Sequence, residues 1–152
     1  MSIRYVHTNI IARDWKRLAD FYMQVFGCVP VPPERNLTGA WLDKMTLLDS
    51  VHLRGVHLAL PGYEKGPTLE IFSYKPEGQS TEHKKVNHMG YGHLAFHVDD
   101  VDAVLQAVLA HGGSQYGALV QNDYPELGRL TTVYVADPEG NLIEIQNWNR
   151  NI

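Results

Sequence analysis

One cysteine, Cys28, is the whole thiol content of this 152-residue chain. No disulfide can form within it, so a reducing, cytoplasmic setting is the expectation. Long apolar runs are missing as well: nothing approaches the roughly 20 residues that a membrane-spanning helix requires. The opening stretch MSIRYVHTNI has no basic segment followed by an apolar one, and no secretory signal is expected. Positive charge is scarce. Lys and Arg number 13 against 17 Asp and Glu, giving a net charge of −4 and a pI near 6.0. That balance offers no basic surface for the phosphate contacts that dominate nucleic-acid affinity. Neither nucleic acid nor a membrane is expected as a partner, which leaves a small molecule.

The chain is long enough to bury its own core, and an internal repeat organises it. An offset of 86 (93 − 7) lays HTNIIARDWKRLADFYMQVFGC over HLAFHVDDVDAVLQAVLAHGGS without a gap, with His7 on His93, Asp14 on Asp100 and Gly27 on Gly113. Each copy predicts a strand (3–11 and 91–98), then an aspartate able to cap a helix, then a helix stopped by glycine. Leu18, Phe21, Tyr22 and Val25 recur at helical spacing, as do Val101, Val104, Leu105 and Val108, so these stripes are core.

A second match follows in each copy: TLEIFSY around Glu70 lies over LIEIQNW around Glu144, at an offset of 74 (144 − 70). The first copy is therefore 12 residues longer in its middle, and the extra length is assigned to an irregular stretch at about 36–54. Further strands are expected at 56–60, 116–121 and 130–136, with Pro61-Gly62 and Asp137-Pro138-Glu139-Gly140-Asn141 as turns. The polar segment KPEGQSTEHKKVNHMG reads as a linker. The expectation is an α+β chain, one domain over 1–152, built of two tandem βαβββ modules (1–76 and 90–150) joined by linker 77–89.

Strand alternation places His7 and His93 opposite their apolar neighbours, and Glu70 and Glu144 opposite flanking leucine and isoleucines. A carboxylate set midway along a strand between core-facing aliphatics is costly to shelter unless it is paired or holds a cation. The repeat maps histidine onto histidine and glutamate onto glutamate, so His7, Glu70, His93 and Glu144 are the candidate ligands of a divalent metal. Two imidazoles with two carboxylates suit Zn²⁺, Ni²⁺, Co²⁺, Mn²⁺ or Fe²⁺, and the lack of thiolates argues against a closed structural zinc site. His97, two positions from His93 on the same strand face, is expected beside the ligands, whereas His52, His57, His83, His88 and His111 have no counterpart in the repeat and read as structural.

These segments, together with the ending DPEGNLIEIQNW, resemble the vicinal oxygen chelate superfamily, which includes glyoxalase I, methylmalonyl-CoA epimerase, extradiol dioxygenases and bleomycin-binding resistance proteins. The resemblance implies paired modules forming a half-open barrel around a metal site, with the first and last strand of each module supplying ligands, and a homodimer. His7, Glu70, His93 and Glu144 occupy those four places, and this His, Glu, His, Glu set is similar to that of bacterial glyoxalase I. The implied activity is a metal-dependent lyase or isomerase of glyoxalase type, acting on a small carbonyl compound or its thiol adduct through a metal-stabilised enediolate. Glu144, then Glu70, would be the catalytic base. Two departures weaken the match to a glutathione cosubstrate: Ile11 stands where glyoxalase I often has arginine, and Tyr74 where it often has asparagine. The alternatives are an epimerase-like enzyme, an iron-dependent ring-cleaving dioxygenase, or a drug-binding resistance protein using Trp41, Tyr74, Tyr91 or Trp148 as stacking surfaces.

Overall fold

A computed structural model of the chain describes residues 1–80 and 84–150. The linker histidine His83 lies outside the described residues. Among the described residues the fold is α+β, with two sheets and three helices, and the chain divides into two compact units, Met1–Ser80 and Thr81–Ile152.

In the first unit the order is β1 (His7–Ile11), α1 (Trp15–Phe26), β2 (Val29–Leu37), α2 (Ala40–Thr46), β3 (His52–Ala59) and β4 (Thr68–Lys75). The strands form one sheet in the order β1-β4-β3-β2, with β1 parallel to β4 and the remaining pairs antiparallel. Helix α1 begins where Asp14 turns its carboxylate onto the Arg17 amide at 3.1 Å, and it ends at Gly27, whose φ of 69° is the left-handed conformation that glycine adopts without a Cβ clash. Of its apolar stripe Leu18, Phe21 and Tyr22 are buried and Val25 partly so, and Leu58, Leu69 and Ile71 of the sheet are buried as well.

In the second unit β5 (Leu94–His97), α3 (Val101–Ala110), β6 (Ser114–Gln115), β7 (Val120–Tyr124), β8 (Gly128–Ala136) and β9 (Leu142–Asn149) follow in order. The sheet runs β5-β9-β8, and β6 and β7 pair successively along the outer side of β8. Asp100 caps α3 through the Ala103 amide at 2.9 Å. The residue with left-handed φ after α3 is Gly112, at 90°, rather than Gly113, whose N–H instead closes on the Val108 carbonyl at 2.9 Å. The helix runs on to Ala110, and His111 in ordinary φ precedes the turn.

Several sequence expectations are corrected. The stretch at 36–54 is not irregular: it holds α2 and the start of β3, and Leu42 of α2 packs in a buried cluster with Val51, Leu53 and Phe72. A nine-residue strand, β2, occupies a segment whose Pro30, Pro32 and Pro33 concealed it. The strand expected at 116–121 begins at Val120. Strands β1 and β5 start later than alternation suggested, so that Val6 is exposed and His93 immediately precedes β5.

The outer strand slips by two residues in both units. Val31 pairs with His57 and Arg35 with Gly55, so β2 advances four positions while β3 advances two. Gln115 pairs with Val135 and Val120 with Thr132, so β6 and β7 advance five positions while β8 advances three. The two short strands thus share the place that β2 fills alone.

Candidate metal centre

Register brings the first-unit donors together. Asn9 of β1 and His57 of β3 both stand opposite Glu70 of β4, and His7 stands two positions before Asn9 on the same face. Glu70 is buried, its side chain 10% exposed. Its two oxygens are divided: His7 Nε2 approaches Oε1 at 2.9 Å, and His57 Nε2 approaches Oε2 at 2.7 Å. The Asn9 amide donates weakly to Oε1 at 3.4 Å. No Lys or Arg pairs with this carboxylate among the described residues. Its partners are neutral or titratable donors, an arrangement that leaves a sheltered negative charge without a fixed counter-charge.

The second unit repeats the pairing with a looser grip. Ala95 and Tyr134 stand opposite Glu144, the places that Asn9 and His57 take around Glu70. His93 Nε2 lies 3.3 Å from Glu144 Oε2. The Thr132 hydroxyl lies 3.0 Å from Glu144 Oε1 and 3.1 Å from the Ile145 carbonyl, so one proton is shared between two acceptors. Tyr134 makes no hydrogen bond to Glu144; its ring meets the His93 imidazole edge-on at 5.1 Å. Burial, and secondarily the Glu144 charge, raise the Tyr134 hydroxyl above its ordinary pKa.

The four sequence-predicted ligands therefore fall into two His–Glu pairs, one in each unit. No group of three or more His, Cys, Asp or Glu side chains is arranged for a metal among the described residues. His97 is exposed and opposite Gln146, and the partners of Glu144 are His93 and Thr132 instead. His57 is the residue that sequence reasoning missed. Burial lowers its pKa, opposed by the Glu70 charge and aided by Arg35 and His7. The signal was available in the hairpins: His57 precedes Glu70 by 13 residues and Tyr134 precedes Glu144 by 10, so the equivalence appears only once the first hairpin's extra three residues are allowed.

Each His–Glu pair fits a divalent cation chemically, an imidazole beside a sheltered carboxylate, with no Lys or Arg in ion-pair contact with Glu70 among the described residues. A cavity of about 500 Å³ in the first unit lies instead at the far end of the strands, bordered by Arg13, Trp15, Arg54 and Tyr74, and excludes the His–Glu pairs. Of the aromatics considered for stacking, Trp41 and Tyr91 are exposed, Tyr74 packs beside the Leu42 cluster, and Trp148 leans on Tyr124 at 5.4 Å.

Residues 4–145 match the family model described as Glyoxalase/Bleomycin resistance protein/Dioxygenase superfamily. The chain belongs to that superfamily. Among solved structures it is similar to a glyoxalase family protein from Bacillus cereus, at 21% identity and a TM-score of 0.83, covering 97% of this chain and 95% of that one. A glyoxalase/bleomycin resistance protein/dioxygenase family enzyme from Burkholderia phytofirmans PsJN follows at 18% identity and 0.61, covering 95% and 98%. TioX from Micromonospora sp. ML1 matches at 18% and 0.57, covering 94% and 97%. At these identities the likeness concerns the superfamily fold. No curated protein matches the sequence. No helix among the described residues is long and apolar enough to cross a membrane.

Proposed function

We propose that the chain is a divalent-metal-dependent lyase or isomerase of glyoxalase type, acting on a small carbonyl compound or its thiol adduct. The observation that supports this reading is the buried Glu70 carboxylate, held between two imidazoles with no Lys or Arg in ion-pair contact among the described residues, and its repetition as Glu144 with His93. The proposed ligands are His7, Glu70, His93 and Glu144. When bound, the ion supplies Lewis-acid stabilisation of negative charge developing on a substrate oxygen.

The protein's own residues then have distinct tasks. His7 and His93 each set Nε2 beside a carboxylate, at 2.9 and 3.3 Å, where each would serve as a ligand. A base is needed to take the proton from the carbon beside the carbonyl. Glu144 suits that task better than Glu70: it is half-buried rather than buried, its Thr132 hydrogen bond is shared, and its histidine contact is longer. A homodimer accompanies this reading, and light scattering tests it.

The deciding experiment is elemental analysis of protein purified without chelator, beside a His7→Ala, Glu144→Ala double variant. About one divalent ion per chain in the wild type alone supports the reading. Glyoxalase and epimerase substrates are then screened with Glu144→Gln, which is expected to keep the metal and lose turnover. A wild type that is metal-free and refuses added Zn²⁺, Ni²⁺ or Co²⁺ overturns the reading.

A further inference from the structure

The two carboxylates are repeated in sequence, but what holds them is not. Where the second unit sets Tyr134 opposite Glu144, the first sets His57 opposite Glu70, and only the histidine bonds its carboxylate. We infer that His57 is a positioning residue: it pins the Glu70 oxygen Oε2 and thereby leaves Oε1, the oxygen beside His7, as the one that would serve a metal, an inference that rests on the metal-binding reading above.

The imidazole is itself oriented from both ends. Its Nδ1 lies 3.3 Å from the Thr68 hydroxyl and its Nε2 lies 2.7 Å from Glu70 Oε2. With Thr68 donating to Nδ1, the ring proton sits on Nε2 and is donated to the carboxylate, so the neutral tautomer satisfies both contacts. Its face is fixed as well. Phe72 meets the His57 ring edge-on at 5.7 Å, and Phe72 packs in turn against Leu42, Val51 and Leu53. Leu42 belongs to α2, within the stretch that makes the first module longer than the second. The added segment therefore braces His57 from behind, and the second unit, whose β8 follows β7 without a helix, lacks such a brace.

A carboxylate with one oxygen occupied by an oriented N–H has the other left for a cation and little freedom to rotate. Glu70 is thus built as a fixed ligand. Glu144, with one shared hydroxyl proton and a 3.3 Å histidine contact, keeps the freedom that proton transfer requires.

The test is a competition titration of metal-free protein with Zn²⁺ against a chromophoric chelator, with Co²⁺ absorption as a second readout. Four proteins are compared: wild type, His57→Phe, His57→Gln and His7→Ala. His57→Phe keeps the ring contact with Phe72 and loses the N–H, and it is expected to weaken Zn²⁺ binding by about 10–100-fold and to alter the Co²⁺ spectrum. His57→Gln can still offer an amide N–H to Oε2 and is expected to recover most of that loss. His7→Ala is expected to lose more than either. Thermal melts of the metal-free variants establish that each is folded.

Wild-type affinity and spectrum in His57→Phe would overturn the inference while leaving the metal-binding reading intact. A loss in both His57 variants as large as in His7→Ala would overturn it by making His57 a ligand in its own right. A wild type that binds neither ion removes the metal-binding reading and this inference with it.

Discussion

Tyr134 stands directly opposite Glu144 on adjoining strands, yet its ring serves His93, which it meets edge-on at 5.1 Å. The contact holds the imidazole by shape rather than by a hydrogen bond, because the tyrosine hydroxyl makes none to the carboxylate. Tyr134→Phe is therefore expected to leave Zn²⁺ affinity within about twofold of wild type, whereas Tyr134→Ala frees the His93 ring and weakens binding by about tenfold. Calorimetric titration of the three proteins measures both effects, and equal affinities throughout would show that His93 needs no such support.

Gly55 lies on β3 two residues before His57, where a Cβ would come within 2.1 Å of the Ile71 carbonyl oxygen and 2.9 Å of the Phe72 Cα. Both are backbone atoms and cannot step aside as a side-chain end could. Gly55→Ala is expected to cost about 2–3 kcal/mol, at the upper end of overpacking penalties, by forcing β3 away from β4. Since that displacement also moves His57 from Glu70, the urea midpoint and the Zn²⁺ affinity should fall together.

Asp14 and Asp100 occupy equivalent places and perform the same task, each capping the amide three residues on, at 3.1 and 2.9 Å. Replacement of either by alanine is expected to remove about 1 kcal/mol. Chemical denaturation reads the loss. Metal affinity should stay near the wild-type value, because neither aspartate touches a candidate ligand.

Cys28 is buried at the end of α1, and burial pushes its thiol up from 9.0 to about 11. The native thiol stays protonated at pH 8–9, and it is expected to resist a chromogenic disulfide reagent there and to react fully in denaturant. The sign for stability follows from the raised value. The unfolded thiol ionises near 9 while the folded one holds its proton, so this contribution is complete below pH 9 and declines toward pH 11, by about 2–3 kcal/mol. Rapid labelling of the native protein at pH 8 would contradict the burial.

Much of the fold was legible because two physical signals coincided in each half. The aspartate caps and the helical spacing of Leu18, Phe21, Tyr22 and Val25 and of Val101, Val104, Leu105 and Val108 mark the helices, and six of those eight are buried, Val25 and Val104 only partly. Histidine and glutamate then fell at matching places, although His93 stands just ahead of β5, and the structure brings each pair within 3.3 Å. What escaped has equally specific causes. Pro30, Pro32 and Pro33 remove the amides by which a strand is ordinarily recognised, although β2 needs few of them as an outer strand. Helix α2 is seven residues long and opens at Gly39 without a side-chain cap, so it lacks the start signal that Asp14 and Asp100 give. His57 was passed over because its counterpart is a tyrosine, and a comparison seeking identical residues cannot see a place where the halves have diverged.

The prolines and the two-residue slip of β2 also bear on how the protein behaves when crowded. The outer margin of a sheet presents unpaired amides and carbonyls that can recruit a strand from another molecule. Along β2 three amides are absent, and the slip between Val31 and Arg35 breaks the even spacing that an incoming strand would have to match. The first sheet is thereby protected on that side from growing into a ribbon shared among chains.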